Sequence, residues 1–509
     1  MRPRAETMHA LHNDTALTPE QVMREAWGEI DWANRPTPTK RYRGVRPQDL
    51  PLDFPASKVA AADALTCGGP PSDEPIDLGE LTRLLFFTAG ATRQRSHGNE
   101  TMHFRAAPSA GALYPIEAYV VCGGLAELDA GVYHFEPVEL ALQPLRAGDW
   151  REALSRAVVD ESVARAPVSL VLTGIPWRTT WKYGARGYRH LFWDAGVVIA
   201  NLLAVARGDG LDPTVLTGFS DHDVARLVGV AAHQAPGSGG EMPLAVVSLG
   251  TTTEAAPPSG HPPDLELAAH ALSDEVTNYP SIWAAHREGD LLPSEVDRWR
   301  QAMTVPTRAP ALPAGSLAAE HESLDQVILR RGSTRRFADE PVHQGALAWP
   351  LAVAGQDVPG DWSPTSTSLL TNFVLVHDVT GVEPGAYRLA WDGPARLRRG
   401  DVRDDARFLC LGQRLAGDSA YTVVHTTELE PLLAAGGARA YRVAQLEAGI
   451  AAGRLQLAAF TLGVGASGVT FFDHEVSRFL GTVGSPLLAV AVGRPGYEPR
   501  PGQRPGPVP

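Results

Sequence analysis

GYRHLFWDAGVVIANLL, beginning at Gly187, and AYRVAQLEAGIAAGRLQ, beginning at Ala440, are two versions of one helix. Tyr188-Arg189 aligns with Tyr441-Arg442, and Asp194-Ala195-Gly196 with Glu447-Ala448-Gly449, at a shift of 253 residues. Working outward, Gly131-Val132-Tyr133 matches Gly385-Ala386-Tyr387 at a shift of 254. Asp221-His222-Asp223-Val224 matches Asp473-His474-Glu475-Val476 at 252. Matches that keep their order at a near-constant shift mark a long-period repeat. The chain therefore carries one fold twice. Two copies in one chain can reproduce a symmetric homodimer while leaving each half free to specialise.

The flanking pattern sets the expected layout. An N-terminal arm (1–74), rich in Arg and Pro, carries Trp27 and Trp32 and packs on the body at a few aromatic points. The first copy spans 75–250, a linker with a helical segment 251–319, the second copy 320–496, and a Pro/Gly-rich tail 497–509. In the first copy LGELTRLLFFTAG (78–90) has helical spacing, while IEAYVVC (116–122), PVSLVLTGI (167–175) and PLAVVSLG (243–250) read as strands. The second copy answers with strands at 372–379, 419–427 and 486–493 around a long helix at 439–462. Long helices dominate, so the expected class is α+β, a sheet covered by helices, duplicated in tandem as an intrachain pseudo-dimer.

Composition removes several function classes. The chain has 509 residues and a net charge of −13, which argues against a nucleic-acid partner. Hydrophobic residues make up 44% and charged residues 20%, as in a globular protein. The three cysteines, Cys67, Cys122 and Cys410, lie too far apart for a metal-ligand spacing or a disulfide framework, so the default compartment is a reducing cytoplasm. Neither a signal peptide nor an apolar run of membrane-spanning length is expected.

Four clusters carry chemistry. In RAAPSAGALYPIEAYVV (105–121), the small residues Pro108, Ser109, Ala110, Gly111 and Ala112 let backbone amides and a hydroxyl approach a flat ligand. In LRRGSTRRF (329–337), Arg331, Ser333 and Arg335 alternate, so an extended segment turns two guanidinium groups and a hydroxyl one way, as a phosphate requires. Arg494 follows the closing strand of the second copy and adds another cation. Lys182 beside Tyr183 precedes the long helix of the first copy, where the ammonium charge would lower the phenol's pKa. Taken singly, each has a plainer reading: a loop before a strand, a solvated basic run, a solvent-facing arginine, a surface pair.

Together these residues resemble the flavin-dependent nitroreductase superfamily. The resemblance is closest to its azoline dehydrogenases, the streptolysin- and microcin-type oxidases of thiazole/oxazole-modified peptide pathways. PSAGALYP (108–115) and the run Lys182-Tyr183, Tyr188-Arg189, Asp194-Ala195-Gly196 are its most specific parts. The resemblance implies FMN shared between two subunits. One subunit, here the second copy, would hold the phosphate through Arg331, Ser333, Arg335 and Arg494. It would also place a Gly-rich turn, GASGVTF (465–471) with Ser467 and Gly468, near the isoalloxazine. The other, here the first copy, would set Pro108, Ser109, Ala110 and Gly111 against the flavin. Lys182 and Tyr183 would be catalytic, removing the Cα proton of the ring while a hydride leaves for flavin N5, and O2 would reoxidise the flavin.

The halves have lost complementary parts. The first copy reads SDEPIDLGELTRLL where the Arg-x-Ser-x-Arg segment belongs, and Thr251 follows its closing strand. The second reads GDWSPTSTSLLTNF (360–373) in place of the Pro-Ser loop and AAGGARAYR (434–442) in place of the Lys-Tyr run. One composite FMN site per chain is therefore expected, with the related site dead. The expected function is oxidation of thiazoline or oxazoline rings in a ribosomally made peptide, with a modified precursor peptide as substrate and a cyclodehydratase complex as partner. The alternatives are a nitroreductase-like enzyme using NAD(P)H on a small molecule, and a non-catalytic peptide-binding scaffold. No metal is expected.

Overall fold

The structure, a computed structural model, describes residues 5–24, 30–72, 74–97, 100–230, 240–251, 254–265, 267–303, 322–362, 368–390 and 393–505. Trp27 and residues 304–319 of the linker lie outside them. The first half builds a seven-stranded sheet in the spatial order Gln48–Asp49, Ala141–Ala147, Gly131–Glu136, Ile116–Cys122, Val168–Gly174, Met242–Leu249, Pro213–Leu216. The second builds six strands in the order Gly393–Arg399, Gly385–Ala390, Thr371–Val376, Tyr421–Thr427, Ser485–Gly493, Gly465–Val469. Both sheets are antiparallel throughout, and the central strands are buried on both faces because helices cover them. This is the expected α+β fold, present twice.

The long helices Gly187–Gly208 and Leu429–Thr461 pack on each other at the centre. Their contact is backbone on backbone. A Cβ placed on Gly196 would lie 2.6 Å from the Ile450 nitrogen, and one on Gly449 would lie 2.5 Å from the Trp193 carbonyl oxygen. The glycine of the repeated Asp/Glu-Ala-Gly motif is therefore the crossing point. The first of these helices, with the short helix before it, is long and apolar enough to cross a membrane, but 94% of that stretch is buried in the core.

The other repeated motifs seal the crossing. Arg189 and Arg186 of the first half reach Asp473 of the second at 2.7 and 2.8 Å. Arg442 and Arg439 of the second half pair with Asp221 of the first. Tyr188 Oη meets His286 Nδ1 at 3.2 Å, and Tyr441 Oη meets His12 Nδ1 at 3.2 Å. Asp221, His286 and Asp290 approach one another closely enough to hold a cation, and Arg442 fills that place, bonding both carboxylates and the His286 carbonyl.

The repeat is larger than the boundaries 75–250 and 320–496. The arm helix Glu6–Asp14 and the linker helix Pro280–Glu288 play the same part for opposite halves. Arg186 donates to the Thr15 carbonyl exactly where its counterpart Arg439 donates to the Gly289 carbonyl, at 2.6 and 3.0 Å. The tail is ordered through Arg504 rather than detached. Gly502 N–H donates to the Leu329 carbonyl at 2.6 Å and Gln503 N–H to the Thr92 carbonyl at 2.8 Å.

Gly449→Ala is expected to lower stability by about 1–3 kcal/mol in denaturant titration, because the added methyl meets rigid backbone. Gly260→Ala, where a Cβ has open space, is the control and is expected to be near neutral.

Candidate active site

The Pro-Ser loop of the first half is held by one carboxylate. Ser109 Oγ donates to Asp194 Oδ2 at 2.5 Å and Ala110 N–H donates to Oδ1 at 3.2 Å. Ser109 Oγ also accepts the Tyr114 N–H at 2.8 Å. Within this loop Gly111, Ala112 and Tyr114 all have left-handed backbone, with φ of 64°, 54° and 47°. Such conformations cost non-glycine residues about 1 kcal/mol or more each, and they persist where the surroundings dictate them. Burial pushes the Asp194 carboxyl up to about 7, against the two hydrogen bonds that favour its charge.

Lys182 and Tyr183 end the helix Pro176–Tyr183, which Gly184 closes with φ 56°. They face the loop: a Cβ on Gly111 would sit 2.8 Å from Tyr183 Oη and 3.3 Å from Lys182 Nζ. Burial lowers the Lys182 pKa, and the charges of Arg35 and Arg335 lower it further. Tyr183 goes the other way. Burial raises it to about 12, Asp194 adds to the rise, and Arg335 opposes it. The expected acidification of Tyr183 by Lys182 is thus not found, because loss of water outweighs the nearby cation. The ammonium, not the phenol, is the group moved toward neutral pH. The Tyr183 ring stacks on His190 at 4.3 Å between centroids, and His190 on Trp193 at 4.6 Å.

The second half supplies cations to the same place. Arg331 is only 4% exposed and donates to the Ala106 carbonyl, just before the Pro-Ser loop. Arg93, on the first-half hairpin Ala91–His97 with Glu100–Arg105, donates to the Leu329 carbonyl at 2.9 Å and to that of Arg331. The Nε atoms of both arginines are buried without a hydrogen-bond partner. Burial, then the charge of Arg93, lowers the Arg331 pKa to about 9, which leaves it a cation at neutral pH. Among the described residues neither arginine has a carboxylate within ion-pair distance. Buried charge without a counter-charge is costly, and an anion at this end would offset that cost.

Ser333 is half-buried, and its segment runs beside the edge strand Gly465–Val469, with Thr334 N–H donating to the Ala466 carbonyl at 3.0 Å. Arg335 is exposed, its N–H bonded to Tyr497 Oη at 3.0 Å, and its charge acts on both Lys182 and Tyr183. Arg494 forms a surface ion pair with Glu340 at 3.2 Å. One expectation changes. Ser467 and Gly468 lie in a strand, not a turn, paired residue by residue with Ser485–Gly493. The small residues suit it because a Cβ on Gly465 would press on Thr334 and Pro495.

The sequence profile of the nitroreductase family matches residues 72–250 and again 328–494. The chain belongs to the nitroreductase family. A nitroreductase-type protein of Methanocaldococcus jannaschii is 28% identical over 181 residues, 35% of this chain and 83% of that one. The microcin B17-processing protein of Escherichia coli is 32% identical over 128 residues, 24% of this chain and 47% of that one. A crystal structure of a nitroreductase-type protein from Anabaena variabilis superposes with a TM-score of 0.76 at 26% identity, covering 97% of this chain and 100% of the other. The doubled nitroreductase architecture is thus shared along the whole chain.

The second place related by the pseudo-twofold has kept the carboxylate tie and lost the rest. Ser368 Oγ donates to Glu447 Oε1 at 2.5 Å, as Ser109 does to Asp194. The loop after it is shorter, for Ser368 accepts from Leu370 N–H, two residues on, where Ser109 accepts from a residue five on. Lys182-Tyr183 is replaced by Ala435-Gly436, with the helix break retained at Gly437 (φ 66°). The chain closes on part of the vacated space, and a cavity of about 530 Å³ remains beside Ala435, Gly436 and Trp299. Trp299 packs on Gly436, donating to its carbonyl at 3.1 Å, and Met303 presses on the same glycine. Asp361 accepts the Thr217 and Gly218 amides at 2.9 Å and binds Arg300, and Trp362, fully buried, donates to Glu447.

Arg93 has no signal in the sequence pattern, for it lies in a hairpin far from the Arg-x-Ser-x-Arg segment. Asp194 is marked by the repeated helix and by the resemblance, but its tie to Ser109 is not. The raised pKa of Asp194 means that the folded state holds a proton the unfolded chain loses near pH 4. Its contribution to stability is therefore full below about pH 4 and is lost as pH rises through about 7. Wild type is expected to lose thermal stability between pH 5 and 8 more steeply than Asp194→Asn. Parallel curves would show that the carboxyl is ionised in the folded protein.

Proposed function

We propose that this chain is an FMN-dependent dehydrogenase that oxidises thiazoline or oxazoline rings of a ribosomally made peptide to thiazole or oxazole. The observation that carries the reading is Lys182, a half-buried amine of lowered pKa, meeting the Pro-Ser loop at the open end of a site whose other end holds two uncompensated guanidinium groups. The name of the Escherichia coli relative ties that protein to the processing of a peptide, microcin B17. A modified precursor peptide as substrate and a cyclodehydratase as partner agree with it.

The residues present fit FMN. Arg331 and Arg93 would take its phosphate on the Nε–H groups that lack partners, and Ser333 and the 108–111 loop would border the rest. When bound, FMN supplies the acceptor for the hydride that leaves the azoline ring. Lys182, in its neutral form, takes the proton lost from the neighbouring ring carbon. Tyr183 stays a phenol at neutral pH and orients the ring by donating a hydrogen bond. Loss of one proton and one hydride leaves an aromatic azole. The loss of the Lys-Tyr pair and of the Pro-Ser loop from the second place supports one flavin per chain, reoxidised by O2.

Three measurements test this. Flavin released from purified protein is expected at one per chain; two would overturn the single-site reading. Arg331→Ala is expected to weaken FMN about 10- to 100-fold and leave riboflavin unchanged, since only FMN carries the phosphate. Equal weakening of both would show that Arg331 merely supports the loop. Lys182→Ala is expected to slow ring oxidation of an azoline peptide about 100-fold or more with FMN retained, and Tyr183→Phe by less. Unchanged turnover in Lys182→Ala would remove it from proton transfer.

A further inference from the structure

Tryptophans are disposed in opposite ways at the two related places. At the one that lacks the Lys-Tyr pair, Trp299 and Trp362 are 6% and 0% exposed. At the one that keeps it, Trp32 is 64% exposed although its surroundings are fixed. The turn that carries it is clamped on both sides. Trp181 Nε1 donates to the Asp31 carbonyl at 3.0 Å, and Asn34 exchanges hydrogen bonds of 3.0 Å with the backbone of Glu275. Asp31 accepts the Asn34 N–H in the same turn. The Trp32 ring stands edge-on to Trp181, 5.3 Å between centroids and 76° between planes.

Trp181 belongs to a short aromatic ladder along its helix. Trp177, one turn earlier, is buried against Ile175 and Leu272 and donates to Ser273 at 2.8 Å. Trp181 is half-buried, and Trp32 is the outermost ring. The turn approaches the reacting groups through Arg35, three residues after Trp32, whose charge acts on Lys182. Tyr497 is also exposed, and its hydroxyl accepts the N–H of Arg335, whose charge acts on Lys182 and Tyr183. Trp32 and Tyr497 come from outside the two repeats, one from the arm and one from the tail.

A large ring held rigid and left open pays no ordering entropy when a flat partner covers it, and aromatic pairs favour stacked or edge-on contact. Binding energy gathered away from the reacting atoms helps to position them. We propose that Trp32, backed by Trp181, is a stacking shelf for a planar ring of the substrate peptide adjacent to the ring being oxidised. This rests on the azoline dehydrogenase reading and adds to it a preference: peptides already carrying a neighbouring azole bind better than those carrying a single azoline.

The test uses the full FMN-loaded chain and two fluorescently labelled peptides, alike except that the residue beside the azoline is a thiazole in one and alanine in the other. Binding is followed by anisotropy and turnover by mass spectrometry. Wild type is expected to bind the thiazole peptide about 2- to 10-fold more tightly. Trp32→Ala is expected to abolish that difference without altering the affinity for the alanine peptide, and Trp32→Phe to restore part of it. A preference that survives in Trp32→Ala, an equal loss for both peptides, or no binding of either peptide by wild type would overturn the shelf. Preferential binding without oxidation by wild type would overturn the reaction while leaving the shelf in place.

Discussion

The backbone contact between two helices at Gly196 and Gly449 is the constraint on which the rest of the structure depends. Side chains at the crossing would hold the halves apart. Without them, the pair of buried arginines on each long helix reaches the aspartate of the other half, and neither ion network can form within one half alone. The same approach carries Arg331 of the second half under Ala106 of the first. The crossing therefore fixes the interface and brings Arg331 against the Pro-Ser loop in one step.

A twofold crossing necessarily creates two equivalent places, and the sequence furnishes only one. Where Lys182 and Tyr183 stand in one half, Ala435 and Gly436 leave room that Trp299 and Met303 take only in part. A cavity of about 530 Å³ remains beside them. Asp361 answers the backbone amides of Thr217 and Gly218, so the polar groups that faced the space are satisfied as well. What remains common to both places is the serine-to-carboxylate tie, which anchors the strand entering each sheet. That tie belongs to the fold, and the residues around it belong to the chemistry.

Three of the four motifs that mark the duplication touch across it in three dimensions; the fourth, Gly131-Val132-Tyr133 and Gly385-Ala386-Tyr387, pairs within its own sheet. Tyr-Arg, Asp-His-x-Val and Asp/Glu-Ala-Gly stayed alike because each must fit its counterpart in the other half. The same logic extends to a repeat that a search near one shift passes over: HNDTALTPEQV (12–22) and HREGDLLPSEV (286–296) stand 274 residues apart. Insertions between the pieces change the shift, so the arm reads as an appendage although it is half of a pair. Burial was the least legible quantity. Adjacent Lys182 and Tyr183 suggest an acidified phenol, and only the packing shows that dehydration dominates. Gly465 to Gly468 read as a turn because their reason for being small lies in Thr334 and Pro495, distant in sequence. Arg93 is legible only once the hairpin is seen lying against the second half.

The Leu329 carbonyl is shared by Arg93 of the first half and by the amide of Gly502. The segment that bears Arg331 is thus gripped from both sides, so residues 502 and 503 brace the site from a great distance in sequence.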